Sequence, residues 1–126
     1  MLVSLISQGV VPVMAPLTHD GEGNMLNTNA DTIAGETAKA LAEAFDVTLI
    51  YCFEKKGVLR DADDDESVIP VITPELFQKY VAEGIIQGGM IPKLENSFSA
   101  VEAGISQVVI TLASAIDGKS GTIIKK

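Results

Sequence analysis

The stretch VTLIYCF at residues 47–53 is a continuous apolar run bounded by Asp46 and Glu54. A run this short, with no polar alternation, reads as a strand covered on both faces, as in a parallel sheet. On that reading Cys52 is a small core residue, and Tyr51 and Phe53, like Phe77 and Tyr80 further on, belong to the core. Upstream, Ala34, Ala38, Leu41 and Phe45 fall 4, 3 and 4 residues apart, one face of a helix that begins at Ala30. Before it, VVPVMAPL (10–17) reads as a strand, its Pro12 hinting at an edge or irregular pairing, and THDGEGN (18–24) as the tip of a hairpin. Downstream, SVIPVI (67–72) is a short strand. TPELFQKYVAEG (73–84) is a helix with Thr73 as N-cap, Pro74 at its first position and Gly84 as its stop. A third helix starts near Pro92, carries Leu94, Phe98 and Val101 on one stripe and ends at Gly104; QVVITL (107–112) and GTIIK (121–125) are the last strands. Strands alternating with helices predict an α/β fold, a layered sandwich with a mainly parallel sheet and helices on both faces.

Composition narrows the function. At 126 residues the chain is one domain, spanning 1–126, and 47% of it is hydrophobic. Seventeen acids against nine bases give a net charge of −8, which argues against nucleic acid or an anionic membrane as partner. No apolar run reaches the ~20 residues that cross a bilayer, and the opening MLVSLISQGVVPV has no basic n-region, so a cytoplasmic protein is expected. One cysteine and one histidine exclude a disulfide framework and a Cys/His zinc site. The run DADDDE (61–66) places five carboxylates in six residues, but it lacks the spaced ligands and turn glycine of a calcium loop. It reads as a solvated loop tip, and no metal site is expected in the protein. His19 reads as a solvated turn residue.

Two short constellations carry chemistry. In EGIIQGGMIPK (83–93), Gly88 and Gly89 let the backbone approach a ligand closely, and Pro92 suits a first helical turn. The free N–H groups and positive dipole end of that turn suit an anion, and Lys93 adds a full charge beside them. A plain loop followed by a surface lysine is the alternative. The pattern is neither a Walker A loop nor a dinucleotide-binding fingerprint. In MLNTNADTIAG (25–35), Asn27, Asn29 and Asp31 stand two apart, so in an extended segment they share a face. Asn29 is equally suited to cap the helix, and Asp31 to favour its dipole. Together the three supply donors and acceptors for a carboxylate and an amide, and one carboxylate able to hold a lysine. They fall at the carboxyl end of a strand, where open α/β sheets bind ligands.

The blocks VPVMAPL, NMLNTNADTIAG, GVL, EGIIQGGMIPK and GTII, in this order, resemble the C-terminal half of the N-acetylglutamate kinase family, within the amino-acid kinase superfamily. The likeness spans nearly the whole chain. The Asn-x-Asn-Ala-Asp and Gly-Gly-Met-x-x-Lys blocks together are its specific part. The resemblance implies ATP-dependent phosphorylation of the γ-carboxylate of N-acetyl-L-glutamate, or another N-acylglutamate, early in arginine synthesis. It implies ATP as co-substrate, with Mg2+ bound through the nucleotide phosphates. Lys93 would stabilise charge on the moving phosphoryl group, and Asp31 would orient Lys93 and a second lysine. Asn27 and Asn29 would bind the acylated amino acid. The nucleotide would lie against Glu54, Lys55, Lys56, Gly57, Val58 and Leu59, and against Ile85, Ile86 and Gln87 with Gly88 and Gly89.

Departures from the family pattern are as informative. Where the family commonly shows an apolar-Thr/Ser-Asp-Val-x-Gly stretch, this chain reads YCFEKKG, with Glu54 for the aspartate and Lys55-Lys56 beyond it. Those lysines are candidates for phosphate contacts. LASAIDGKSGTIIKK leaves no room for the helix that the family usually carries before its last strand. The family's N-terminal Lys-x-Gly-Gly phosphate loop, its glycine pair and its substrate-gripping arginine have no counterpart here. The N-terminal half is therefore expected to be absent, and a half-sheet with apolar surface to self-associate or to join the missing half. A non-catalytic nucleotide-binding or regulatory fragment is the alternative function.

Overall fold

The computed structural model describes residues 1–117 and 119–126. A short helix α1 (Leu2–Ser7) precedes an extended stretch that enters β1 (Leu17–His19), and β1 pairs antiparallel with β2 (Met25–Asn27). The turn between them is held by Asp20, whose carboxylate accepts from the Glu22 N–H at 2.7 Å and the Asn24 amide at 2.6 Å. His19 is exposed there and accepts from the Gly21 N–H. The hairpin is as expected, but the strand over 10–17 is not. Residues 10–16 pair with nothing regular; Val11 and Val13 are 83% and 95% exposed, and Pro12 and Pro16 have no N–H to give a ladder.

Helix α2 (Ala30–Leu41) follows, then β3 (Thr48–Phe53), β4 (Val71–Ile72), α3 (Pro74–Ala82), α4 (Met90–Glu102), β5 (Gln107–Leu112) and β6 (Thr122–Ile124). The four longer-range strands form one sheet in the order β3-β5-β6-β4. β3 runs parallel to β5 and β4 parallel to β6, whereas β5 and β6 are antiparallel, so the sheet is mixed but mainly parallel. One cluster joins Ala38 of α2, Tyr80 of α3 and Leu94, Ala100 and Val101 of α4 to Leu49, Tyr51, Ile72, Val108, Ile110 and Ile124 of the sheet. α2, α3 and α4 thus share a face, and α1 contributes nothing to that cluster. α3 begins as its residue types dictate: the Thr73 hydroxyl accepts from the Leu76 N–H, and Pro74 opens the helix.

The run at 47–53 is a parallel strand, yet it lies at the sheet edge. Leu49 and Tyr51 are buried while Thr48 and Cys52 are exposed. Cys52 is therefore not a core residue: it is exposed, alternating along β3 with the buried Tyr51. The strand covered on both faces is β5, in which Val108 to Thr111 are all buried. Among the described residues between β5 and β6 one 3-10 turn, Ala113–Ala115, forms, consistent with a segment too short for a helix.

The same loop contains a carboxylate held well below the usual carboxylate range. Asp117 accepts from the Ser120 hydroxyl and from the N–H groups of Ser120 (2.6 Å) and Lys119 (2.7 Å). The Ser120 hydroxyl first, then the N–H groups, lower its pKa from 3.8 to about 2. A depressed folded-state value stabilises the loop above the unfolded pKa, and this is lost as pH falls through about 2. The carboxyl carbon resonance of Asp117 should accordingly titrate near pH 2, and Ser120→Ala should move its midpoint up towards 3.8. A wild-type midpoint at the ordinary value would refute the loop geometry.

Candidate functional site

Two elements far apart in sequence bring the central pair together. Asn29 caps α2, its side-chain oxygen accepting from the N–H groups of Asp31 (2.8 Å) and Thr32 (3.3 Å). The cap fixes Asp31 in the first turn, facing α4. There Lys93 donates from Nζ to Asp31 Oδ2 at 2.8 Å, across 62 residues of chain. Both side chains are about one-third exposed, at 34% and 30%, so the ammonium is held yet stays open to a ligand. Its Nζ also lies 4.4 Å from the centroid of the Phe53 ring. Tyr51, two residues earlier on β3, donates its hydroxyl to the Asp31 backbone carbonyl at 3.2 Å. Burial first, and then the negative charge of Asp31, raise the Tyr51 pKa, so the phenol stays a donor.

Lys93 opens onto a cleft of about 610 Å³ at the carboxyl end of β3. Glu54, Lys55, Gly57, Val58, Leu59 and Gly89 line it with Lys93, and all were expected against a nucleotide. Cys52, Phe53, Ala62 and Met90 complete the wall. The other expected contacts sit elsewhere. Ile86 is 2% exposed, within the core, and Ile85 packs on that core. The Gln87 amide is turned back onto the Gly84 carbonyl. Lys56 is not in the wall. It pairs with Glu66, as Lys55 pairs with Asp65 at 2.7 Å. The acidic run is solvated, as predicted, but two of its carboxylates hold the two lysines predicted to meet phosphate. Each lysine's pKa is raised first by that hydrogen bond and then by the partner's charge.

The mouth of α4 also differs from expectation. The helix starts at Met90, so Pro92 lies in its first turn and Lys93 just beyond it. Gly88 has φ +59, the left-handed conformation that favours glycine, whereas Gly89 has φ −66. The Met90 and Ile91 N–H groups already bond the Gln87 and Gly88 carbonyls at 3.4 and 3.2 Å. Pro92 has no N–H. The turn therefore offers an anion little backbone, and Lys93 supplies most of the positive field.

Asn27 ends β2 opposite Leu17 and is exposed; no hydrogen bond ties it to the Asp31–Lys93 pair. A Thr18–Thr28 side-chain bond of 2.7 Å and the Thr28 N–H to the Pro16 carbonyl at 2.9 Å close the hairpin base beside it.

Thr122 is a determinant that pattern reading undervalued. Fully buried, it donates to the Ile69 carbonyl at 2.7 Å and accepts from the Val58 N–H at 2.8 Å. A Cβ on Gly57 would stand 2.8 Å from the Thr122 hydroxyl oxygen and 2.9 Å from Val68. GVL and GTII, separately weak, are thus halves of one hydrogen-bonded unit that shapes the cleft wall.

The family model for amino acid kinases matches residues 2–111. Acetylglutamate kinase of Phocaeicola vulgatus is 81% identical over 125 residues, covering 99% of this chain and 49% of that protein. Acetylglutamate kinase of Bacteroides fragilis is 76% identical over 126 residues, covering 100% of this chain and 48% of that protein. The chain spans about half the length of the curated relatives it matches. Among solved structures, a Streptococcus mutans protein (smu.665) superposes with a TM-score of 0.75 at 35% identity, covering 98% of this chain and 46% of that one. N-acetylglutamate synthase of Neisseria gonorrhoeae, solved with coenzyme A and N-acetyl-glutamate, superposes with a TM-score of 0.82 at 20% identity, covering 99% of this chain and 30% of that one, a likeness of fold.

Proposed function

The chain belongs to the amino acid kinase family, and from that premise we propose that it supplies the nucleotide-binding part of a kinase that phosphorylates the γ-carboxylate of N-acetyl-L-glutamate. The observation that carries this reading is the Lys93–Asp31 pair, 2.8 Å apart, at the mouth of a cleft lined by Glu54, Lys55, Gly57, Val58, Leu59 and Gly89, six of the residues expected to meet ATP. Phosphoryl transfer needs positioning and charge neutralisation more than covalent help from the protein. Lys93 is a compact, mobile charge suited to follow a phosphoryl group from ATP to the acceptor, and Asp31 keeps it aimed. The acceptor carboxylate is already ionised, so no general base is required. Asn27 and the free amide of Asn29, on the Asp31 side, are the proposed contacts to the acylated amino acid. The oxygen of Asn29 is committed to its cap.

Magnesium would arrive on the ATP phosphates and offset their charge. Among the described residues Glu54 is the one carboxylate in the cleft wall, and no group of three metal-binding side chains exists. That donor set fits a metal carried by the nucleotide. Among the described residues no helix is long and apolar enough to cross a membrane. Work on small metabolites in the cytoplasm is part of the proposal. So is association through the exposed Val10, Val11, Val13 and Met14 beside the open edge of β3, with the remainder of the kinase fold or a second copy.

Cys52 makes the nucleotide site testable on the chain itself. It is the only cysteine, is exposed and lines the cleft. Saturating Mg-ATP should slow its alkylation by iodoacetamide at least about tenfold, as burial under a ligand at many times its Kd implies. N-acetylglutamate alone should not. An alkylation rate indifferent to ATP, together with a flat calorimetric titration, would remove the nucleotide-site reading.

A further inference from the structure

The fold places an aromatic ring beneath Lys93. Tyr51 and Phe53 alternate with Cys52 along β3, so both rings point to the sheet face that meets α2 and α4. Their centroids are 6.5 Å apart with planes inclined by 30°. Each ring end serves a different member of the ion pair. The Tyr51 hydroxyl holds the Asp31 backbone at 3.2 Å, and the Phe53 ring lies 4.4 Å from Lys93 Nζ. Lysine has four rotatable side-chain bonds and a well-hydrated head. A single carboxylate one-third exposed to water leaves that head free to swing. A ring face beneath the ammonium attracts it electrostatically while offering no acceptor that would compete with phosphate.

We propose that Phe53 is a positioning residue for Lys93: with Tyr51 behind Asp31, it forms an aromatic rest that holds the ammonium pointed into the cleft. The inference rests on Lys93 as the phosphate-facing cation of the proposed function. Its consequence for ligand chemistry is direct. The ring blocks one side of the ammonium and Asp31 a second, so the remaining N–H bonds face the cleft and suit the terminal phosphate of a nucleoside triphosphate.

The test uses the chain with 13C-labelled lysine side chains. The Lys93 ε-methylene resonance, identified by its loss in Lys93→Ala, should lie upfield of the other lysines through the ring current of Phe53. Phe53→Leu should return it to the position of exposed lysines and, with the chain joined to the first half of a relative, lower kcat about fivefold while the KM for ATP changes little. Phe53→Tyr keeps a ring face and should leave the resonance upfield and kcat within about twofold. Comparable circular dichroism of the two variants secures the comparison. A Lys93 resonance unmoved by Phe53→Leu overturns the proposal, even if kcat falls. So does Phe53→Tyr behaving as Phe53→Leu does. If ATP perturbs no resonance of the wild type, the nucleotide-site reading fails by itself, while the ring-current shift still decides whether Phe53 positions Lys93.

Discussion

Joined to the first half of the Phocaeicola vulgatus relative, the chain is expected to phosphorylate N-acetylglutamate, and Lys93→Ala in that hybrid to lower kcat by about 10²–10³. The KM for ATP should change little. The reason lies in where charge develops. The ground-state nucleotide is held by the cleft wall along Glu54 to Leu59, which the substitution leaves intact. The moving phosphoryl group is the part that needs the ammonium, and an interaction made mainly in the transition state appears in kcat. Lys93→Arg should not restore activity. A planar guanidinium is poorly suited to a seat that accepts a point charge between the Asp31 carboxylate, at 2.8 Å, and the Phe53 ring. A Lys93→Ala hybrid with kcat within about twofold of its parent would end the catalytic assignment. So would a hybrid in which ATP protects Cys52 but nothing is phosphorylated: the chain would then be a nucleotide-binding module.

The second large effect is on stability. Thr122→Val preserves shape but removes a buried hydroxyl that satisfies both the Val58 N–H and the Ile69 carbonyl. Val58 and Ile69 are each 3% exposed, so water cannot replace the lost partner. Each stranded group costs about 1–3 kcal/mol, so the two together cost about 2–6 kcal/mol. In a domain of this size the melting temperature should fall by about 10 °C. Thr122→Ser keeps the oxygen and should lose much less. A Thr122→Val melt within about 2 °C of wild type would show that the hydroxyl does not hold GVL to the sheet. The neighbouring Gly121, at φ +98, adds a constraint. A methyl there would strike the Ile110 carbonyl and lie 2.9 Å from the Thr111 Cβ, so the turn entering β6 accepts only glycine.

Some of this was legible in the residues. Thr73-Pro74 and Asn29 announce helix starts, because a capping side chain satisfies N–H groups two or three positions away. THDGEGN announces its hairpin for a similar reason: Asp20 bonds within its own turn. The resemblance of the Asn-Ala-Asp and Gly-Gly-Met blocks brought Asp31 and Lys93 into one site, and the geometry places them in contact. Where reading by pattern failed, the missing information was lateral. VTLIYCF has the composition of a covered strand, but which of β3 and β5 takes the sheet edge depends on pairings between residues tens of positions apart. Cys52 is exposed because on that edge strand it points away from the face that buries Leu49 and Tyr51. VVPVMAPL has strand-forming side chains, but a strand also needs a neighbour, and residues 10–16 have none among the described residues.

The order of helices and strands, their caps and turns, and the acidic balance follow from the chain itself, because those interactions close over a few residues. The seat of the ammonium was decided only by the fold. It joins the first turn of α2, one face of β3 and the start of α4, elements brought together by burying a shared apolar face. The same holds for Lys55 and Lys56, whose partners at Asp65 and Glu66 stand ten residues on, across a loop. Electrostatic partners at such separations are chosen by the packing of the backbone, and only the tertiary structure sets that packing.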